Sequence, residues 1–189
     1  MTVEEMLVKR AKSGDEQAFS AIVKEYEKQV YSSALYVAKN REDALDISQE
    51  VFLKLWRTLP SFRGEASLKT WIAKITRTCA LDYVRARNLK AAQPLVYESD
   101  DGKEVDVIDD DVSSDPIKSY ERKENIAAVR KAIDSLPEPI KETLILRELH
   151  DLSYADIAAL LGISEGTVKS RISRGREQIK LFLKNGNFL

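Results

Sequence analysis

Apolar residues recur along this chain at three- and four-residue spacing, and no segment of any length alternates at period two, so the pattern predicts helices throughout. Thr2 with Glu5 forms a capping box for a short first helix that ends near Gly14. Asp15 opens a longer one, with Ala18, Phe19, Ile22, Val23, Tyr26, Val30, Ala34, Leu35 and Val37 on its inner stripe up to about Lys39. Leu45, Ile47, Val51, Phe52, Leu55 and Trp56 repeat the spacing in the next segment, which Leu59-Pro60 closes. After the loop Ser61 to Ala66, Ser67 caps a helix with Leu68, Trp71, Ile72, Ile75, Cys79, Tyr83 and Val84 facing inward. From Gln93 to Asp115 the periodicity vanishes, and Pro94, Gly102 and acids dominate; such a segment buries too little to fold alone. Pro116 starts a helix running to Ser135, Leu136-Pro137-Glu138-Pro139 breaks and restarts the chain, and Ile140, Leu144, Ile145 and Leu149 make one more helix.

The stretch Ser153 to Arg176 then packs two helix starts around one sharp turn. Ser153 caps the first helix, and Asp156 is placed to reach back to the capping residue's amide. Ile157, Ala158, Leu160 and Leu161 bury one face, Gly162 supplies the left-handed residue that stops the helix, and Ser164 caps a second helix almost at once. So short a connection fits a helix-turn-helix, whose second helix is shaped for a major groove. At 100° per residue, Val168, Ile172, Gly175, Ile179 and Phe182 face inward. Thr167, Ser170, Ser173 and Arg174 face outward, with Lys169, Arg171, Arg176 and Lys180 on the flanks. A solvated polar face on an ordinary amphipathic helix is the plainer reading, but six basic residues against two acidic ones from Glu165 onward, beside a capped and Gly-turned partner, favour nucleic acid.

Charge changes the picture only when it is divided. The 189 residues sum to minus one, yet 1–97 carry 16 basic and 12 acidic residues, 116–189 carry 13 and 10, and 98–115 carry one Lys against nine acids. Two basic blocks on an acidic tether suggest two modules that face nucleic acid. The expected architecture is all-α: a helical domain over 1–92, an acidic flexible linker over 93–118, and a helix-turn-helix domain over 119–189. Cys79 is the only cysteine, which excludes an intrachain disulfide and a cysteine-rich metal site. The acidic start Met-Thr-Val-Glu-Glu is unlike a signal peptide, and no apolar run approaches the ~18 residues of a membrane span. A soluble, cytoplasmic protein without direct membrane insertion is expected.

In the first half, Asp43, Asp46, Gln49 and Glu50 line a polar side of the helix that carries Phe52, Leu55 and Trp56. Downstream, Lys69, Lys74, Arg77, Arg85, Arg87 and Lys90 are interleaved with Trp71 and Tyr83, and Phe62 precedes them. Cations neutralise phosphate and aromatic faces stack bases, the combination that single-stranded nucleic acid requires. On spacing alone, Trp71 and Tyr83 read first as core positions and only second as stacking faces. Phe62-Arg63-Gly64-Glu65-Ala66-Ser67 is a loop with a glycine hinge, shaped to receive a base taken out of the stack.

In this order the features resemble the extracytoplasmic-function (ECF) group of the bacterial sigma-70 family, across nearly the whole chain. Residues 43–56, from Asp43-Ala44-Leu45-Asp46 to Leu55-Trp56, look like the segment by which that family grips the beta-prime clamp helices of RNA polymerase. Thr70-Trp71-Ile72-Ala73-Lys74-Ile75, continuing through Asp82 to Arg85-Ala86-Arg87, looks like its strand-opening and minus-ten-reading segment. Leu136-Pro137, Ser153 to Gly162 and Thr167 to Ile172 look like its minus-thirty-five reader. The resemblance implies that Asp43, Asp46, Gln49 and Glu50 bind core polymerase. It implies that Phe62, Arg63, Lys69, Trp71, Lys74, Arg77, Thr78, Asp82, Arg85 and Arg87 open and read the minus-ten strand. Ser164, Thr167, Lys169, Ser170, Arg171, Arg174 and Arg176 would then bind the minus-thirty-five duplex. Implied partners are core polymerase (beta-prime clamp helices and beta flap), promoter DNA and an anti-sigma factor, with no cofactor, metal, small-molecule substrate or catalytic residue. Three positions depart from the family pattern: Leu45 where an acid is usual, Thr78 where Asn is frequent, and Gly175 where Ala is usual, which is expected to soften the reading helix by about 1 kcal/mol.

Two other readings compete. A stand-alone dimeric helix-turn-helix regulator would need a dimerisation surface or a ligand pocket, and neither is clear in the sequence. A phosphorelay or hydrolytic protein would use His150 beside Asp151; a lone His there reads instead as a helix-terminus residue interacting with the dipole.

Overall fold

A computed structural model describes the backbone of residues 2–91 and 116–186 and the side chains of 2–89 and 125–186. Most of the expected linker lies outside the described residues. All regular structure among those residues is helical, and it forms two units.

In the first unit, α1 (Val3–Lys12) begins with the full Thr2–Glu5 capping box, and Gly14 at φ 90° turns the chain. Asp15 caps α2 (Glu16–Ala38) through the Ala18 amide. That hydrogen bond, followed by the one from Arg10, holds its carboxyl below the usual range. Lys39, left-handed at φ 65°, ends α2, and Asn40 caps α3 (Arg41–Thr58) by accepting from the Asp43 amide. A 3-10 turn at Leu59–Ser61 follows, and then α4 (Leu68–Ala91), whose Thr70 amide is taken by Ser67. The antiparallel pair α2–α3 packs against α4, while α1 lies across α2. Ile22, Val30, Val51, Leu55, Leu59, Leu68 and Ile72 fill the core. Each such side chain contributes ~1.5–3 kcal/mol by leaving water.

The second unit holds α5 (Pro116–Asp134), α6 (Glu138–Glu148), α7 (Tyr154–Leu161) and α8 (Glu165–Asn185). Both α5 and α6 pack on α8, and α7 crosses it after the Gly162 turn at φ 66°. Ala128, Ala132, Leu136, Leu144, Leu152, Ile157, Val168 and Ile172 are buried together. The Asp156 carboxylate takes its bond from the Ser153 hydroxyl, not from the amide that the capping box would use.

Several inward assignments do not hold. Leu45, Val84 and Phe182 are exposed, because a helical stripe is buried only where a partner helix runs beside it. His150 lies just past the end of α6, as expected of a helix-terminus residue, but it is 2% exposed, and burial pushes its pKa down to about 4.

Gly175 also differs from expectation. A Cβ there would sit 2.8 Å from Ile140 Cγ2 and closer still to Leu144 Cδ1, so the residue is an approach point for α6 rather than a soft spot. Overpacking costs ~1–3 kcal/mol and outweighs the ~1 kcal/mol that Ala gains in helix propensity. Gly175→Ala should therefore lower the unfolding free energy of the full chain by about 1 kcal/mol. A gain in stability in urea titration would mean that helix propensity, not packing, decides at this position.

Candidate nucleic-acid interface

Three surfaces emerge from this frame. On α3, Asp46, Gln49 and Glu50 are exposed and share a face with Leu53, 49% exposed, an apolar member absent from the sequence assignment. Asp43 is different. Its carboxylate accepts from Asn40 Nδ2 and from the Tyr83 hydroxyl, both at 2.6 Å, so it ties α3 to α4. The Tyr83 hydroxyl is raised above its usual pKa, by burial first and then by that carboxylate.

On α4, spacing sorts the predicted cations. Lys74, Thr78 and Arg85 are exposed along one outward stripe with Leu81. Half-buried Arg77 lies at one border of the stripe, and Trp71 and Asp82 lie at the other. Lys69 and Arg87 fall on the opposite flank with Tyr83, and Arg87 lies beside that ring. Asp82 is bracketed by Arg85 at 3.3 Å and Lys54 at 4.0 Å. The Thr78 hydroxyl bonds back to the Lys74 carbonyl, leaving its methyl to solvent.

The loop before α4 is built around an aromatic pair. Phe62 stacks on Trp71 with ring centroids 4.7 Å apart and planes 20° from parallel. Lys12 Nζ donates to the Phe62 carbonyl at 2.7 Å, so α1 braces the loop. Beyond Phe62, Arg63 and Glu65 face each other at 3.9 Å, both almost fully exposed, across Gly64 at φ 76°. The stacked Phe62–Trp71 pair thus lies at one end of the basic stripe.

The third surface is α8. Ser164 accepts from the Thr167 amide, its hydroxyl meets that of Thr167 at 2.9 Å, and Ser170 donates to the Thr167 carbonyl. These hydroxyls finish the helix start. Lys169, Arg174 and Lys180 are exposed and Arg171 is half-buried, leaving a cationic outward face. Arg176 is not part of that free field: Nε and Nη2 donate to Glu148 Oε1 at 3.1 and 2.7 Å. Among the described residues no helix is long and apolar enough to cross a membrane, and no group of His, Cys, Asp or Glu could hold a metal ion.

Two sequence families coincide with these two units. Residues 22–89 match Sigma-70 region 2, and residues 126–179 match Sigma-70, region 4. The ECF RNA polymerase sigma-E factor of Haemophilus influenzae is 35% identical over 179 residues, 94% of this chain and 93% of that protein. The RNA polymerase sigma-H factor of Pseudomonas aeruginosa is 34% identical over 177 residues, 93% of this chain and 91% of that protein. In structure, the sigma factor RpoE of Bartonella quintana, solved with the anti-sigma factor NepR, superposes with a TM-score of 0.66 at 25% identity, covering 88% of this chain and 96% of that one. The chain belongs to the ECF group of sigma-70 RNA polymerase sigma factors. It is a transcription initiation factor that directs polymerase to specific promoters, not an enzyme, and the free-standing dimeric regulator is not favoured.

Proposed function

We propose a division of this activity among the three surfaces. The outward face of α8, with Lys169, Arg171 and Arg174, reads the minus-thirty-five duplex, and Ser164, Thr167 and Ser170 hold its start near phosphate. The Phe62–Trp71 platform, loop residue Arg63 and the Lys74, Arg77, Thr78 and Arg85 stripe capture the unwound minus-ten strand, with Lys69, Asp82 and Arg87 supporting the stripe from its flanks. Asp46, Gln49 and Glu50, with Leu53, grip core polymerase, and Asp43 holds their helix in place. Residues 1–92 and 119–189 act as separate modules on the tether 93–118.

The observation that carries this reading is the stacked Phe62–Trp71 pair at the end of a cationic helix. Opening a duplex costs ~1.4 kcal/mol per base-pair step. A protein that opens DNA must therefore hold unstacked bases and neutralise the strand they leave, and this surface supplies both. An anti-sigma partner follows from the relative solved with one, and a cytoplasmic location follows from the partnership with polymerase.

Run-off transcription with core polymerase on a promoter library tests the reading. The protein should create new start sites, and Arg171→Ala or Arg174→Ala should relax preference at particular minus-thirty-five bases by ~1–3 kcal/mol. Loss spread evenly over scrambled sites would overturn the α8 assignment.

A further inference from the structure

The last two residues of α6 each grip one helix of the helix-turn-helix. Arg147 Nη1 donates to the Leu152 carbonyl at 2.7 Å, lies 3.9 Å from the Asp151 carboxylate, and places its guanidinium 5.5 Å from the ring centroid of Tyr154, the first residue of α7. Glu148, its neighbour, takes both bonds from Arg176 on α8 through a single oxygen. Next to Arg176, Gly175 has no side chain of its own, and Ile140 and Leu144 of α6 occupy the space that a Cβ there would take.

A helix crossing at a glycine is close but smooth. Val168, Ile172 and Ile179 keep α8 against the unit, yet at the crossing point α8 itself contributes no knob to resist rolling about its axis. Base-edge recognition tolerates an error of only ~0.5 Å or 10–20° in the reading side chains. The Glu148–Arg176 pair sits where it can set that roll, half a turn beyond Arg174.

We propose that the end of α6 is a jig for promoter reading, in which Glu148 is a specificity-positioning residue that acts through Arg176, while Arg147 sets the start of α7. Arg176 thus serves recognition from behind the interface and is not a phosphate contact. The inference rests on α8 being the duplex reader. Both partners are about half exposed, 58% for Arg176 and 50% for Glu148, so the pair contributes little to stability and its effect lies in orientation.

A charge swap decides between the two roles. Holoenzymes carrying Glu148→Arg, Arg176→Glu or both are compared in run-off transcription on the cognate minus-thirty-five element and on single-base variants, with melting temperatures to confirm folding. Each single change should cut discrimination by roughly fivefold with little change in melting temperature, and the double change should restore it. The salt dependence of promoter binding should be the same for Arg176→Ala as for the unaltered chain. A phosphate contact gives the opposite pattern: Arg176→Glu weakens all templates alike, the swap does not rescue, and Arg176→Ala lowers the salt slope by ~1. Arg174→Ala is the control. If it loses discrimination and the swap fails to rescue, the jig alone is refuted. If Arg174→Ala leaves discrimination intact, α8 is not the reader and both readings fall.

Discussion

Trp71→Ala is expected to slow initiation on duplex promoters by roughly 5- to 150-fold, the rate equivalent of the ~1–3 kcal/mol that one aromatic contributes by stacking on a base. The fold should survive. Trp71 is half-buried, and the core beneath it is carried by Leu68, Ile72 and Ile75 on the inner side of α4. What disappears is one face of the platform, since Phe62 then stacks on nothing while its carbonyl stays held by Lys12.

A template with a mismatched bubble over the minus-ten element separates the two possible causes. Unpairing is already done there, so a variant deficient in capture should recover most of its rate on the bubble, and Trp71→Phe should fall between Ala and the natural residue on duplex. An equal deficit on duplex and bubble would mean that Trp71 only supports the loop. Because Phe62 and Trp71 satisfy each other in the free chain, a captured base must either extend the stack or displace one ring. In both cases the preformed pair reduces the ordering required when DNA opens.

The features that were legible in the sequence are those settled within one helical turn. Thr2 with Glu5, Asp15, Ser67, Ser153 and Ser164 all cap an amide three residues ahead, so residue type and spacing suffice to place five helix starts. The glycine stop at Gly162 is equally local. What the string concealed are the bonds between elements: Lys12 to Phe62, Tyr83 to Asp43 and Arg176 to Glu148. Each joins residues far apart in sequence that carry no mark of their partner. That is why the string shows nothing of the bonds by which Asp43 and Arg176 join helices. Burial at helix ends is hidden for a related reason. Phe182 keeps the inward spacing of Val168 and Ile172 but is exposed near the end of α8, and Gly175 looks like a weak helix former until α6 is seen against it.

The second large effect concerns acid. His150 has a pKa pushed from the usual 6.5 to about 4, with burial as the cause. The folded chain holds the imidazole neutral, while the unfolded chain takes up a proton near 6.5, so the unfolded state binds more protons between these values. Stability from this residue is therefore fully present above pH 6.5, declines as pH falls towards 4, and amounts to about 3 kcal/mol over the window. His150 lies one residue past the Leu149 cap that ends α6, and the next residue, Asp151, sits at φ 47° in the turn leading to α7, so the helix-turn-helix should loosen first. Hydrogen exchange of the α6–α8 amides in the full chain, measured between pH 7 and pH 4.5 and corrected for intrinsic rates, should show protection falling with pH in the natural chain and nearly level in His150→Gln. Carboxylates near the bottom of the range titrate in both proteins and cancel in the comparison. Parallel profiles would show that the imidazole protonates without cost in the fold, and that burial does not keep this residue uncharged.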